Sequence, residues 1–195
     1  MFRRNGADYF NPDEAARRIL SVNPGISGTL ANSVAWQQGK RLLERAIAER
    51  KDFALETTLG GTTITALLGS ALSSGIAVRV WYAGLTSPEL HIARVRSRVA
   101  RGGHDIPDAT IRVRYDRSRI NLLRLLPNLT ELRLYDNSFE ADPHTGAVPA
   151  PMLVLHVLKG IIVDSCDPGQ TPDWAKPIVI AALKGGTYLD AGSGT

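Results

Sequence analysis

A chain of 195 residues, 44% hydrophobic and 22% charged, is sized for one domain with a real core and is too apolar for global disorder. Its net charge of +4 is modest for the length, so any charge-driven function must be local. The single cysteine excludes an internal disulfide framework and fits a reducing cytoplasm, and no apolar run reaches the ~18 residues of a membrane span.

The N-terminal MFRRNGADYF carries no hydrophobic signal core, and its Tyr9-Phe10 can end a strand. Asn11-Pro12-Asp13-Glu14 then opens a helix to about residue 20, with Asn11 able to cap and Pro12 fitting the first turn. A longer helix over 31–50 follows, with Trp36, Leu42, Leu43, Ala46 and Ile47 as its apolar face. A strand over 53–59, a helix over 62–73 ended by Gly75 and a strand over 76–82 come next. Ser87 and Pro88 open one arginine-rich helix and Asp108 opens a second; a strand over 132–137 closes this part. From Phe139 the texture changes: a polar loop over 141–151, a hairpin of strands 152–158 and 161–163 around Lys159-Gly160, a helix over 174–184 and a frayed tail. Strands alternating with helices predict an α/β fold, a mostly parallel sheet flanked by helices, with the hairpin and last helix as a C-terminal addition.

Nine arginines fall within residues 94–125, opposed only by Asp105, Asp108 and Asp116, in two helical segments around the turn GGHDIP. Guanidinium groups bind phosphate oxygens in pairs, so this pattern reads as a lid over phosphates; the plain alternative is a pair of solvated helix faces. In an open parallel sheet, ligands bind at the carboxyl ends of the strands. Three polar sets are expected there: Asn11 with Asp13, Glu56 with Thr57 and Thr58, and Asp136 with Asn137 and Ser138. Their plain roles would be a helix cap, a strand exit and a turn. Taken together they suit phosphoryl transfer, which is mostly positioning and charge neutralisation. Asp13 is the candidate base for an attacking hydroxyl, and Arg94, Arg98 and Arg101 are the candidates for phosphate charge. Glu56, Thr57 and Thr58 would bind the acceptor or organise a metal's water shell. His104 either positions a phosphate or caps its turn. His91, His144 and His156 have no metal-ligand spacing, and Cys166 reads as an incidental thiol.

NPDE (11–14), LETTLGG (55–61), GLTSPELHIARVRSRVARGGHDIP (84–107), IRVRYDRSRINL (111–122) and LYDNS (134–138) resemble, in order and spacing, the zeta-toxin-like P-loop kinases. TPDWAKPIV (171–179) is similar to an extension of a bacterial branch of that group. The resemblance implies a P-loop NTPase-like kinase domain over 1–138 and an extension over 139–195. It implies ATP and Mg2+ as cofactors, with Arg94, Arg98 and His104 on the ATP side and Arg101 as an alternative phosphate arginine. Asp13 corresponds to the base, and Asn11, Glu56, Thr57, Thr58, Arg112, Arg114, Tyr115, Ser118 and Asn121 to substrate positions. The implied substrate is the 3′-hydroxyl of a UDP-N-acetyl amino sugar, and the implied partner is a small antitoxin. The sequence departs from the family in one respect: it has no G-x-x-x-x-G-K-[ST], the loop whose amides and lysine cradle phosphates. Two expectations follow: a kinase read from an internal start, or a remnant. Either way this chain should not transfer phosphate from ATP at a normal rate. The rivals are a non-catalytic nucleotide-sugar binder and a nucleic-acid module. Against the last, Tyr115 is the only aromatic in the basic stretch and no reader motif is present.

Overall fold

Short β-rich runs alternate with helices, of which those opening after Asn11, Ser27 and Ser87 start on side-chain caps, and the computed structural model follows that alternation. It describes residues 8–140, 149–185 and 187–188. The residues before Asp8, the stretch 141–148 with His144, and most of the expected tail lie outside the described residues. The chain divides into two compact units, 1–76 and 77–195.

In the first unit, strand β1 (Asp8–Phe10) leads into helix α1 (Pro12–Val22). Asn11 caps α1 through its side-chain oxygen, which accepts from the Asp13 and Glu14 amides at 2.9 and 3.0 Å. Helix α2 (Gly28–Glu49) starts on Ser27, whose hydroxyl accepts from the Leu30 amide at 3.2 Å. Strand β2 (Phe53–Leu55) pairs in parallel with β1, Tyr9 opposite Ala54. Helix α3 spans Thr62–Ser73, as its spacing predicts. The core of this unit is small: Phe10, Ala16, Ala31, Ala35, Leu43, Ala46, Leu59, Ile64 and Ala71 are buried. Alanines dominate it, so its helices pack closely and bury little area per residue.

The second unit is built on strand β3 (Arg79–Gly84), helices α4 (Pro88–Val99) and α5 (Asp108–Leu125), and strand β4 (Glu131–Asp136). Ser87 and Pro88 begin α4, and Asp108 begins α5, as read from the sequence. Strand β3 starts three residues later than expected. Ile76 is held by its amide on the Ala71 carbonyl, closing the end of α3, and so cannot join a ladder. Strands β5 (Met152–Leu158) and β6 (Ile161–Ser165) form the expected hairpin, and β7 (Thr187–Tyr188) follows helix α6 (Lys176–Gly185). The sheet order is β3-β4-β5-β6-β7. β3 and β4 are parallel, β5 runs antiparallel to both β4 and β6, and β7 is parallel to β6. Leu122, Leu132, Leu134, Val154, Leu155 and Ile178 are its most buried side chains.

The fold class is therefore α/β, but its strands lie in two sheets, one of two parallel strands and one of five strands in mixed directions. A single, mostly parallel sheet is not what forms. The first hairpin strand, β5, pairs antiparallel with β4, and β6 pairs antiparallel with β5, as the tight turn at Lys159-Gly160 between them requires. The final helix begins two residues later than read. Residues 172–175 form a turn, the Ala175 amide on the Pro172 carbonyl at 2.9 Å, and Pro177 then sits in the first helical turn.

Candidate functional site

Two of the three polar sets sit at the carboxyl ends of β1 and β2. There the Tyr9 hydroxyl donates to one Glu56 carboxylate oxygen, and the Asn11 amide donates to the other at 2.7 Å. The Glu56 amide in turn bonds the Phe10 carbonyl at 3.0 Å, which fixes the exit of β2 against that of β1. The Tyr9 phenol is held above its ordinary range, first by the hydrogen bond to Glu56 and then by burial, with Asn11 working the other way.

Asp13 lies in the first turn of α1 and is exposed. Because Asn11 supplies the cap, the Asp13 carboxylate is not spent on it. Among the described residues that carboxylate has no hydrogen-bond or ion-pair partner; only its backbone carbonyl is used, by Arg17 at 3.3 Å. Thr57 and Thr58 are exposed, and the Thr57 hydroxyl accepts from the Leu59 amide at 3.1 Å.

The arginine-rich helices belong to the second unit, and most of their guanidinium groups are engaged there. Arg94 donates to the carbonyls of Asn137 and Phe139 at 2.7 and 2.9 Å, tying α4 to the chain leaving β4. Arg98 donates to the His104 carbonyl at 3.1 Å, and Arg101 to the Ser97 carbonyl at 3.2 Å. Arg96 pairs with Asp108 at 2.7 Å, and Arg112 pairs with Glu89, holding Glu89 below and Arg112 above their ordinary ranges. Arg114 has no hydrogen-bond or ion-pair partner among the described residues.

Of the substrate positions implied on α5, Arg112 and Arg114 are exposed, while Tyr115, Ser118 and Asn121 face inward. The Tyr115 hydroxyl donates to the carbonyls of Leu85 and Thr86 at 3.0 and 2.9 Å, and the Arg119 guanidinium lies 3.9 Å from its ring centroid. Ser118 is buried and shares a 2.8 Å hydrogen bond with Tyr82, whose phenol is pushed up by burial. Asn121 is buried and accepts from Arg124 at 3.4 Å. Tyr115, Ser118 and Asn121 thus hold α5 within its unit.

The third set was only partly legible. Asp136 ends β4 and is 6% exposed, with Ser138 donating to its Oδ1. Trp174, which the sequence places at the head of the last helix, donates its indole N–H to the same oxygen at 3.1 Å. A Cβ on Gly84 would meet the Trp174 ring at 2.3 Å, so only glycine lets the ring lie there. The missed signal was this glycine ending β3 beside a late tryptophan. Among the described residues no three His, Cys, Asp or Glu side chains gather as a metal cage. Cys166 lies 3.6 Å from the Thr171 hydroxyl, beside an apolar cavity of about 190 Å³ between β6 and α6.

No family model matches the sequence, and no solved structure matches it. An uncharacterized protein of Haemophilus influenzae is 32% identical over 103 residues, a stretch covering 53% of this chain and 71% of that protein. That identity over that share of the relative is enough to place the two together: this chain belongs to the same family as the Haemophilus influenzae protein.

Proposed function

We propose that the chain is a zeta-toxin-type small-molecule kinase domain whose acceptor-hydroxyl site is the carboxyl end of the β1–β2 pair. The observation that carries this reading is Asp13. Its carboxylate is exposed and unpartnered among the described residues, three residues beyond the end of β1, while Asn11 does the capping. A base must offer a free lone pair to the hydroxyl it serves, and the exposed, unpartnered Asp13 carboxylate supports that role. Glu56, ordered by Tyr9 and Asn11, supplies a second acceptor for substrate hydroxyls.

The substrate class is a UDP-N-acetyl amino sugar, by resemblance. ATP with Mg2+ would supply the phosphoryl group. Asp13 takes the hydroxyl proton, and Glu56, Thr57 and Thr58 orient the sugar. Because the sequence carries no G-x-x-x-x-G-K-[ST], this chain binds its acceptor far better than it transfers phosphate to it. The second reading, a nucleotide-sugar binder without catalysis, is favoured by the absence of that motif from these 195 residues and shares the acceptor site.

Calorimetry with UDP-N-acetylglucosamine tests the shared step. Binding is expected to weaken at least tenfold in Glu56→Gln and to persist in Asp13→Asn. No heat with the wild-type chain would remove both readings. Phosphorus NMR of the same mixture with ATP and Mg2+ separates them: a new phosphomonoester that Asp13→Asn abolishes marks a kinase.

A further inference from the structure

Among the described residues, Arg50, Leu59 and Lys159 are the non-glycine positions with positive φ. Two of them have an ordinary reason. Arg50 is the cap that ends α2, and Lys159 lies in the hairpin turn; both are exposed. Leu59 has neither reason. It directly follows Glu56, Thr57 and Thr58 in the loop between β2 and α3, at φ 52°, and it is 5% exposed. A left-handed backbone crowds Cβ against the following carbonyl oxygen, so a leucine there is strained where a glycine would not be. Burial of the leucine side chain in the core of the first unit offsets that strain.

The loop is therefore an arch held at both feet. At the first, the Glu56 amide bonds the Phe10 carbonyl at 3.0 Å, and the Glu56 carboxylate takes the Tyr9 and Asn11 donors. At the second, Leu59 is sunk in the core, and its amide donates to the Thr57 hydroxyl at 3.1 Å, closing a local turn. Thr57 is thus engaged within the arch. Thr58, between the feet, is exposed, and its hydroxyl has no partner among the described residues. A hydroxyl that orients a sugar binds best when it is already fixed before the sugar arrives, because ordering it on binding costs affinity.

We propose that Leu59 is a positioning residue of the acceptor site: its buried side chain holds residues 56–58 in one conformation against the backbone strain and so fixes where the Thr58 hydroxyl points. Being buried, Leu59 touches no substrate itself. Its effect on acceptor binding rests on the reading above; its hold on the arch does not.

Three substitutions separate burial from strain. Leu59→Met keeps the burial. Leu59→Gly loses it and relieves the strain. Leu59→Ala loses it and keeps the strain. An ordinary core leucine tolerates alanine better than glycine, since glycine gives up more side chain and more backbone order. A strained anchor reverses that ranking. Nitrogen-15 relaxation of the free full chain reads backbone order at Thr57 and Thr58, with α2 as the reference. The wild type and Leu59→Met should stay near the order parameter of about 0.85 typical of rigid backbone, and Leu59→Ala should fall below about 0.6, with Leu59→Gly between and α2 unchanged. Calorimetry with UDP-N-acetylglucosamine should rank the variants the same way, with binding roughly tenfold weaker in Leu59→Ala. Three results overturn the proposal: Leu59→Gly more mobile than Leu59→Ala, Leu59→Met as mobile as Leu59→Ala, or a loss of order shared by α2, which would make Leu59 an ordinary core residue. A wild-type chain already mobile at Thr57 and Thr58 refutes it without any variant having to fold. No heat with the wild-type chain, while the relaxation ranking holds, removes the acceptor reading and leaves the anchor standing.

Discussion

At the scale of single residues, the acceptor site depends on a division of labour among Tyr9, Asn11 and Glu56. Asn11 uses its oxygen to cap α1 and its amide to hold Glu56. Replacing Asn11 by alanine is expected to lower stability by about 1 kcal/mol, the usual loss for an N-cap. Asn11→Asp keeps the cap but sets a second carboxylate against Glu56. Urea melts should therefore rank Asn11→Asp between the wild type and Asn11→Ala; equal stability of all three would refute the double role. The Tyr9 phenol adds a pH signature. Its folded value is raised above the unfolded one, so the stabilisation is fully present below the ordinary phenol value of about 10 and is lost as pH rises through the folded value. Ultraviolet titration, taken as the difference between the wild type and Tyr9→Phe, should show one phenol ionising late. In a Glu56→Gln background that phenol should move back toward the ordinary value, since the bond to Glu56 is the largest cause of its shift.

Elements of the second unit are joined by a charge clamp at the start of β4. Glu131 is 8% exposed and accepts from Arg133 at 2.8 Å and His156 at 2.9 Å, with Arg79 of β3 at 3.6 Å. One carboxylate thus engages three neighbouring strands. Burial works against its ionisation, but the hydrogen bonds and charge of Arg133 and His156 prevail and hold it below the ordinary range. A depressed folded value contributes stability that is present above about pH 4.3 and lost as pH falls through the folded value. Glu131→Gln should cost about 1–3 kcal/mol at neutral pH and flatten the acid limb of a pH series of urea melts. An unchanged acid limb would mean that other carboxylates govern it. The hairpin turn offers a backbone test: Lys159 and Gly160 both have positive φ, 50° and 77°. Gly160→Ala should therefore lose about 1 kcal/mol. This turn was legible because its signal is local, as were the Ser87-Pro88 start of α4, the Asp108 start of α5 and the run of α3. The ties that build the sites were not. Asn11 to Glu56 spans 45 residues, Arg94 to Asn137 spans 43 and Trp174 to Asp136 spans 38. Periodicity reports which face of an element is apolar and is silent on which distant residue meets it. Asn11, Glu56 and Asp136 were recognisable as strand-end residues for that reason, whereas Trp174 and the inward turn of Ser118 and Asn121 were not.

For the molecule as a whole, the open question is what its positive charge is available to bind. Nine arginines in residues 94–125 would be a strong anion surface if all were free. They are not. Arg96, Arg112 and Arg119 are ion-paired with Asp108, Glu89 and Asp116. Arg94, Arg98 and Arg101 are bound to main-chain oxygens, and Arg124 to the Asn121 side chain. Only Arg114 and Arg117 of the nine have no partner among the described residues. Binding to duplex DNA releases counterions in proportion to the phosphates neutralised, with a log–log salt slope of about −0.9 for each. Two free arginines predict a slope of about −2, whereas nine would give about −8. Fluorescence anisotropy of a labelled duplex across a sodium chloride series measures it, with Arg114→Ala/Arg117→Ala as the control that should remove the remaining dependence. A shallow slope that vanishes in the control would mean that the arginines hold α4 and α5 in place and are not a nucleic-acid surface. A slope near −8 would mean that phosphate pulls them from their carbonyl and carboxylate partners. The helix pair would then be a device that opens on meeting polyanions, and the nucleic-acid reading would displace the kinase one.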